Sequence, residues 1–184
     1  MHQIRIYIIH LWECDVRRCT AIKLKKFGLV DFIRGRDSRA KGAIFLDPFA
    51  ERAISKEDRK IIEQRGLVAL DGSWNKVSKE KFMVYHRKYE FRALPYFVAG
   101  NPTHYGMPTK LSTVEALSFA LYITGFGGEA IKLLKIFSWG INSFKLNRNL
   151  LEMYSKANTS KEVIELQNKF LEVQEKVNRN DPKS

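Results

Sequence analysis

Four short apolar runs, each closed by polar or turn residues, dominate the first hundred positions: "IRIYII" (4–9), "AIFLD" (43–47), "LVALD" (67–71) and "LPYFVAG" (94–100). They do not alternate apolar with polar residues, as a strand with one wet face would. Short continuous runs of this kind suit strands covered on both faces, and so predict a largely parallel sheet flanked by helices.

The intervening segments agree. In "SKEDRKIIEQRG" (55–66), Ser55 can cap a first turn, acids follow early, and Gly66 supplies a left-handed stop. Residues 78–89 form a second, weaker helical segment. Residues 1–92 therefore read as an α/β domain and residues 93–184 as a mostly helical one. In the second half, Ser112 and Glu115 make an S-x-x-E capping box, and Gly125, Gly127 and Gly128 interrupt the helix before another begins near Glu129. Thr159 and Glu162 open a last helix, with Val163, Leu166, Phe170, Val173 and Val177 spaced to pack on the same domain. The tail from residue 178 is expected to fray.

Parallel strands deliver their carboxyl ends to one edge, where open α/β sheets bind ligands. "FLDP" (45–48), "LDGSW" (70–74) and "AGNPTHYGMP" (99–108) all emerge there. Asp71 can accept from ribose hydroxyls or an ammonium, and Trp74 offers a flat apolar wall, although Asp-Gly is also a common turn. No GxGxxG and no GxxxxGK[ST] occurs, so a dinucleotide or triphosphate cradle has no support.

Lys and Arg number 32 against 20 Asp and Glu, a net charge of +12, which suits a polyanionic partner. Half of that excess falls in residues 1–42, where "CDVRRCTAIKLKKFG" (14–28) has the charge density of a phosphate-contacting segment; a solvated basic helix is the competing reading. Cys14 and Cys19 are separated by four residues and the histidines are scattered, so no metal site is expected. The N-terminus has charge within its apolar run and no cleavage site, and Val114–Phe126 is too short to span a bilayer. A cytoplasmic protein with no membrane association is expected.

Four stretches in order, "CDVRRCT" (14–20), residues 46–74, residues 92–126 and "LLKIFSWGINSFKLNRNLLEMY" (133–154), resemble the rRNA aminocarboxypropyltransferases, which act on a pseudouridine of small-subunit rRNA, 18S in eukaryotes and 16S in archaea. The resemblance implies a SPOUT-like fold with a deep trefoil knot at the cofactor site. It further implies transfer of the 3-amino-3-carboxypropyl group of S-adenosylmethionine to N3 of an (N1-methyl)pseudouridine, with release of methylthioadenosine. The partner would be small-subunit rRNA or a pre-ribosomal particle. By matched position, Thr20, Leu46, Pro48, Leu70, Asp71, Trp74, Leu94, Thr109 and Thr113 would form the cofactor pocket, with Asp71 as base or cofactor orienter. Arg17, Arg18, Lys23, Lys25, Lys26, Arg59, Lys60, Arg65 and Lys132 would form the RNA face. Relatives commonly carry Asp-Pro-Lys-Lys-Cys-Thr-Gly where this chain has residues 15–21, and Cys-Ser-Trp where it has Gly72-Ser73-Trp74. The N-terminal segment also resembles the start of RNase L inhibitor-type ATPases, but an iron–sulfur cluster needs more cysteines than this chain has. A SPOUT methyltransferase and a non-catalytic rRNA-binding assembly factor are the rival readings, and a monomer is expected.

Overall fold

The computed structural model describes residues 4–13, 15–35 and 37–180. A five-stranded, wholly parallel sheet has the spatial order β2-β1-β4-β3-β5, formed by β1 (Ile6–His10), β2 (Asp31–Phe32), β3 (Ile44–Leu46), β4 (Leu67–Asp71) and β5 (Glu90–Arg92). The crossovers carry α1 (Thr20–Lys26), α2 (Arg59–Arg65) and the short α3 (Lys79–Met83). The chain continues through α4 (Thr113–Ile123), α5 (Gly127–Leu134), α6 (Gly140–Leu146), α7 (Arg148–Lys156) and α8 (Ser160–Asn180). No helix among the described residues is long and apolar enough to cross a membrane.

Both faces of the sheet are covered, as the unbroken apolar runs require. Ile6, Ile8, Ile44, Leu46, Leu67 and Ala69 face a large core that continues through α4 to Leu151 and Val163, joining the two sequence halves. Tyr7, Ile9, Phe45 and Val68 face a smaller core. There Phe45 lies 5.0 Å from Phe91 and 5.5 Å from Tyr85, ring to ring. The helix expected over 78–89 is accordingly cut to five residues, and the chain beyond it turns to bring Tyr85 and Tyr89 onto Phe45. Arg92, the last residue of β5, pairs with Asp58 at 2.9 Å, and both side chains are buried.

One expected strand is absent. Residues 94–100 form no ladder, and the fifth strand is the shorter Glu90–Arg92 just before them. Pro95 has no N–H to give a neighbour. The run is nonetheless buried at Phe97 and Ala99, where Phe97 packs 4.8 Å from Phe119 and 5.5 Å from Tyr154. Its backbone is satisfied partly by an isolated antiparallel bridge to the 106–109 loop, where Ala99 N–H reaches the Met107 carbonyl at 2.9 Å, and partly by side chains of the helical half. Asn147 accepts the Val98 N–H at 2.9 Å and donates to the Val98 carbonyl at 2.8 Å, while Gln167 accepts the Tyr96 N–H at 2.7 Å. Strand β2 was not expected, being two residues long.

The capping signals hold. Ser112 accepts from the Glu115 N–H and the Glu115 carboxylate returns to the Ser112 N–H. Thr159 accepts the Glu162 N–H at 3.2 Å, but the Glu162 carboxylate reaches Asn158 instead of Thr159. Val163, Leu166 and Phe170 pack α8 on the core, whereas Val173 and Val177 are exposed. The helix persists to Asn180, past the point where fraying was expected; residues 181–184 lie outside the described ones.

Candidate functional site

Strands β1 and β4 end side by side, with His10 and Asp71 in register. The buried Asp71 carboxylate collects donors from three directions. His10 Nε2 lies 3.2 Å from Oδ2, Cys19 Sγ lies 3.5 Å from the same oxygen, and the Thr113 hydroxyl donates to Oδ1. Thr113 is the first residue of α4, and the next N–H, of Val114, is taken by the Thr20 hydroxyl at the start of α1. Two helix N-termini therefore meet over the end of β4.

Beyond Asp71, "GSW" forms the divider between two adjoining chambers. The Trp74 indole N–H donates to the Leu111 carbonyl at 2.9 Å, which fixes the ring plane. On one side is a mostly apolar chamber of about 280 Å³, walled by Leu46, Pro48, Leu70, Trp74, Leu94 and Thr109. On the other is a more polar chamber of about 360 Å³ that includes Thr20, Asp71, Asn101 and His104. Trp74 and Thr113 border both. All nine residues expected at a cofactor pocket thus line one or both chambers, and the three expected strand-end loops converge there.

Thr109 takes a left-handed conformation, φ 60°, unusual for a branched residue and held by its N–H bond to the Phe97 carbonyl at 2.8 Å. The long loop before α4 is anchored by Glu115, which is fully buried and accepts from Gly100 N, Asn101 Nδ2 and Ser112 N, each at 2.8 Å, and from the Ser143 hydroxyl at 2.5 Å.

Sequence reasoning missed an acid and a base of this rim, Glu13 and Lys81. Glu13 accepts the Ser73 N–H at 3.2 Å and pairs with Lys81 at 2.7 Å, and the Lys81 hydrogen bond holds its carboxyl below the usual glutamate range. Asp47 lines the apolar chamber, and burial raises its carboxyl above the ordinary value despite the Phe49 amide and nearby His86. No local pattern announces the Glu13–Lys81 pair, because its partners come from separate loops.

Of the expected RNA-facing residues, Arg17, Arg18, Lys23 and Lys26 line one further cleft beside the polar chamber. Lys25 instead pairs with Asp31 at 3.3 Å. Arg59 is engaged by the protein: it donates to the Gly125 carbonyl at 2.8 Å, pairs with Glu63 and lies 4.3 Å over the Phe126 ring. Lys60 and Arg65 are exposed on α2 and Lys132 on α5, and none of the three lines that cleft.

Paired chambers at the carboxyl ends of parallel strands lie where open α/β proteins bind small ligands. Residues 44–171 match the family model described as ribosome biogenesis protein, C-terminal. The 16S rRNA aminocarboxypropyltransferase of Methanobrevibacter smithii is 46% identical over 93% of this chain and 99% of its own length. That of Methanosphaera stadtmanae is 47% identical over 91% and 97%. A solved structure, the SAM-dependent rRNA:acp-transferase Tsr3 from Vulcanisaeta distributa, superposes with a TM-score of 0.76 at 39% identity, covering 88% of each chain. The chain belongs to the 16S rRNA aminocarboxypropyltransferase family.

Residues 4–37 also match a possible Fer4-like domain of RNase L inhibitor. The chain has two cysteines, Cys14, outside the described residues, and Cys19, and a four-thiolate cluster does not fit that donor set. His10, Cys19 and Asp71 do bring three donor atoms within 4.8 Å of one another, which the sequence reading did not anticipate. The Trp12 N–H donates to His10 Nδ1 at 2.9 Å, so the ring proton sits on Nε2 and points at Asp71 and Cys19.

Proposed function

We propose that this chain transfers the 3-amino-3-carboxypropyl group of S-adenosylmethionine to N3 of an (N1-methyl)pseudouridine in small-subunit rRNA, releasing methylthioadenosine, as a step of ribosome biogenesis. The observation that carries the reading is the pair of chambers divided by Trp74, lined by every residue that the resemblance assigns to the cofactor. The names of the relatives support it.

The residues present fit such a cofactor. Leu46, Pro48, Leu70 and Leu94 offer an apolar slot for a flat base, and Thr109 and the ends of β3 and β4 bring backbone polar groups to its edge. When bound, the sulfonium makes each carbon attached to it electrophilic, so that geometry selects the carbon that reacts. Trp74, fixed through Leu111, would cover the methyl side and leave the opposite side to the polar chamber that it borders. Asp71 orients the cofactor there. Both its oxygens already accept from Thr113, His10 and Cys19, which suits a fixed anion better than a base that must take up a proton.

The same reading includes a SPOUT-type trefoil knot in the stretch that runs from β5 to α4 past the chambers, action as a monomer, and a cytoplasmic site of work without a bound metal. The reaction is tested with rRNA and two cofactor preparations, one labelled in the methionine backbone and one in the methyl group. Label from the backbone alone is the expected result. Label from the methyl alone would overturn the assignment in favour of a SPOUT methyltransferase, and absence of cofactor binding in calorimetry would leave a non-catalytic assembly factor.

A further inference from the structure

Beside the polar chamber runs a cleft of about 860 Å³ between α1 and the connection joining α5 to α6. The two cavities adjoin, sharing Arg18, Cys19, Thr20, Asn101, Thr103 and Ser112. One wall of the cleft is cationic, carrying Arg17, Arg18, Lys23 and Lys26, and no carboxylate is among its described lining residues. The other wall is aromatic. Trp139 is half-buried, its ring 5.3 Å from that of Phe137, and Lys23 Nζ lies 4.8 Å over Phe137. Phe27 lies at the margin with 55% of its surface exposed.

A cationic wall facing an aromatic one is the arrangement that holds single-stranded nucleic acid, with phosphates on one side and a base face on the other. A pyrimidine N3 lies on the Watson–Crick edge, so the acceptor base must be unpaired to react. Its neighbour in the strand must then lie just outside the polar chamber, where this cleft adjoins it. We propose that the cleft holds the unpaired ribonucleotide adjacent to the target, its phosphates along Arg17, Arg18, Lys23 and Lys26 and its base against Trp139. The proposal rests on the reading of the chain as an rRNA-modifying transferase and adds to it the strand-binding surface and its aromatic contact.

The test measures binding of an oligouridylate single strand and of an RNA duplex to the full chain and to Trp139→Ala, Trp139→Phe and Phe27→Ala, with cofactor affinity and melting temperature as controls. Trp139→Ala is expected to weaken single-strand binding about tenfold while duplex binding and the salt dependence stay near wild type. Trp139→Phe should retain most of the affinity. Phe27→Ala, at an exposed position that leaves the core untouched, should lose affinity several-fold and carries the test if Trp139→Ala melts early. Single-strand affinity unchanged in both alanine variants, or strand and duplex weakened alike, would overturn the proposal. If the wild type transfers label and the alanine variants bind the strand normally, the cleft assignment alone falls. If the wild type transfers nothing yet binds single strands through Trp139, the transferase reading falls and the cleft stands.

Discussion

The carboxylate of Glu115 accepts the amide N–H of Gly100 at 2.8 Å, and so ties the first turn of α4 to the start of the loop that closes the site. Three more residues converge on the same buried carboxylate: Asn101, Ser112 through both its N–H and hydroxyl, and Ser143. Glu115→Gln places an NH2 among donors and is expected to cost about 2–4 kcal/mol of stability, read by urea denaturation. A loss below about 0.5 kcal/mol, typical of a surface change, would mean that the loop is held elsewhere.

Trp74→Ala removes the wall between the chambers. Cofactor affinity in calorimetry should fall about tenfold to a hundredfold, the equivalent of about 1.5–3 kcal/mol of lost apolar burial. Trp74→Phe keeps a wall but leaves the Leu111 carbonyl without its donor, and should fall between the two. Equal affinity in all three proteins would place the cofactor away from the indole.

Asp71→Asn separates orientation from proton removal. An orienting carboxylate predicts cofactor binding weakened about tenfold or more, with kcat at saturating cofactor changed little by comparison. The converse, normal binding with a collapsed rate, would make Asp71 the base.

Glu13 offers a pH signature. Its carboxyl is held below the ordinary glutamate value by Lys81, so its contribution to stability is complete above that value and is lost as the pH falls through the depressed one. Glu13→Gln should therefore melt earlier at pH 7, by about 1 kcal/mol, and match the wild type in acid, where both carry a neutral side chain. A gap that widens on acidification would contradict the Lys81 pairing as its source.

The sheet was legible where burial and strand pairing coincide. The apolar runs at β1, β3 and β4 needed both faces covered, and each found helices or aromatic rings on both sides. The run at 94–100 carried the same apolar signal for a different reason: Phe97 and Ala99 are buried against helices, and Asn147, Gln167 and the 106–109 loop bond its backbone in place of a neighbouring strand of the sheet. Hydrophobicity reports that a segment is covered, not by what, and Pro95 was the one local hint against a ladder. At the site, Asp71 and Trp74 stood out beside a turn, and family resemblance supplied Leu94 and Thr109. His10, Glu13 and Lys81 stayed hidden because their roles arise only when strand ends and loops distant in sequence are brought together.

The Asp58–Arg92 pair lies at the boundary drawn from sequence between the α/β and helical halves. A chain severed after Arg92 would keep that ion pair but strip the sheet of α4, whose Leu117, Phe119 and Leu121 are wholly covered in the intact protein. The two halves are therefore poor candidates for exchange between relatives as separate modules: a chimaera joined at residue 92 inherits half of a core and half of each chamber, and its parents must match on both sides of the seam.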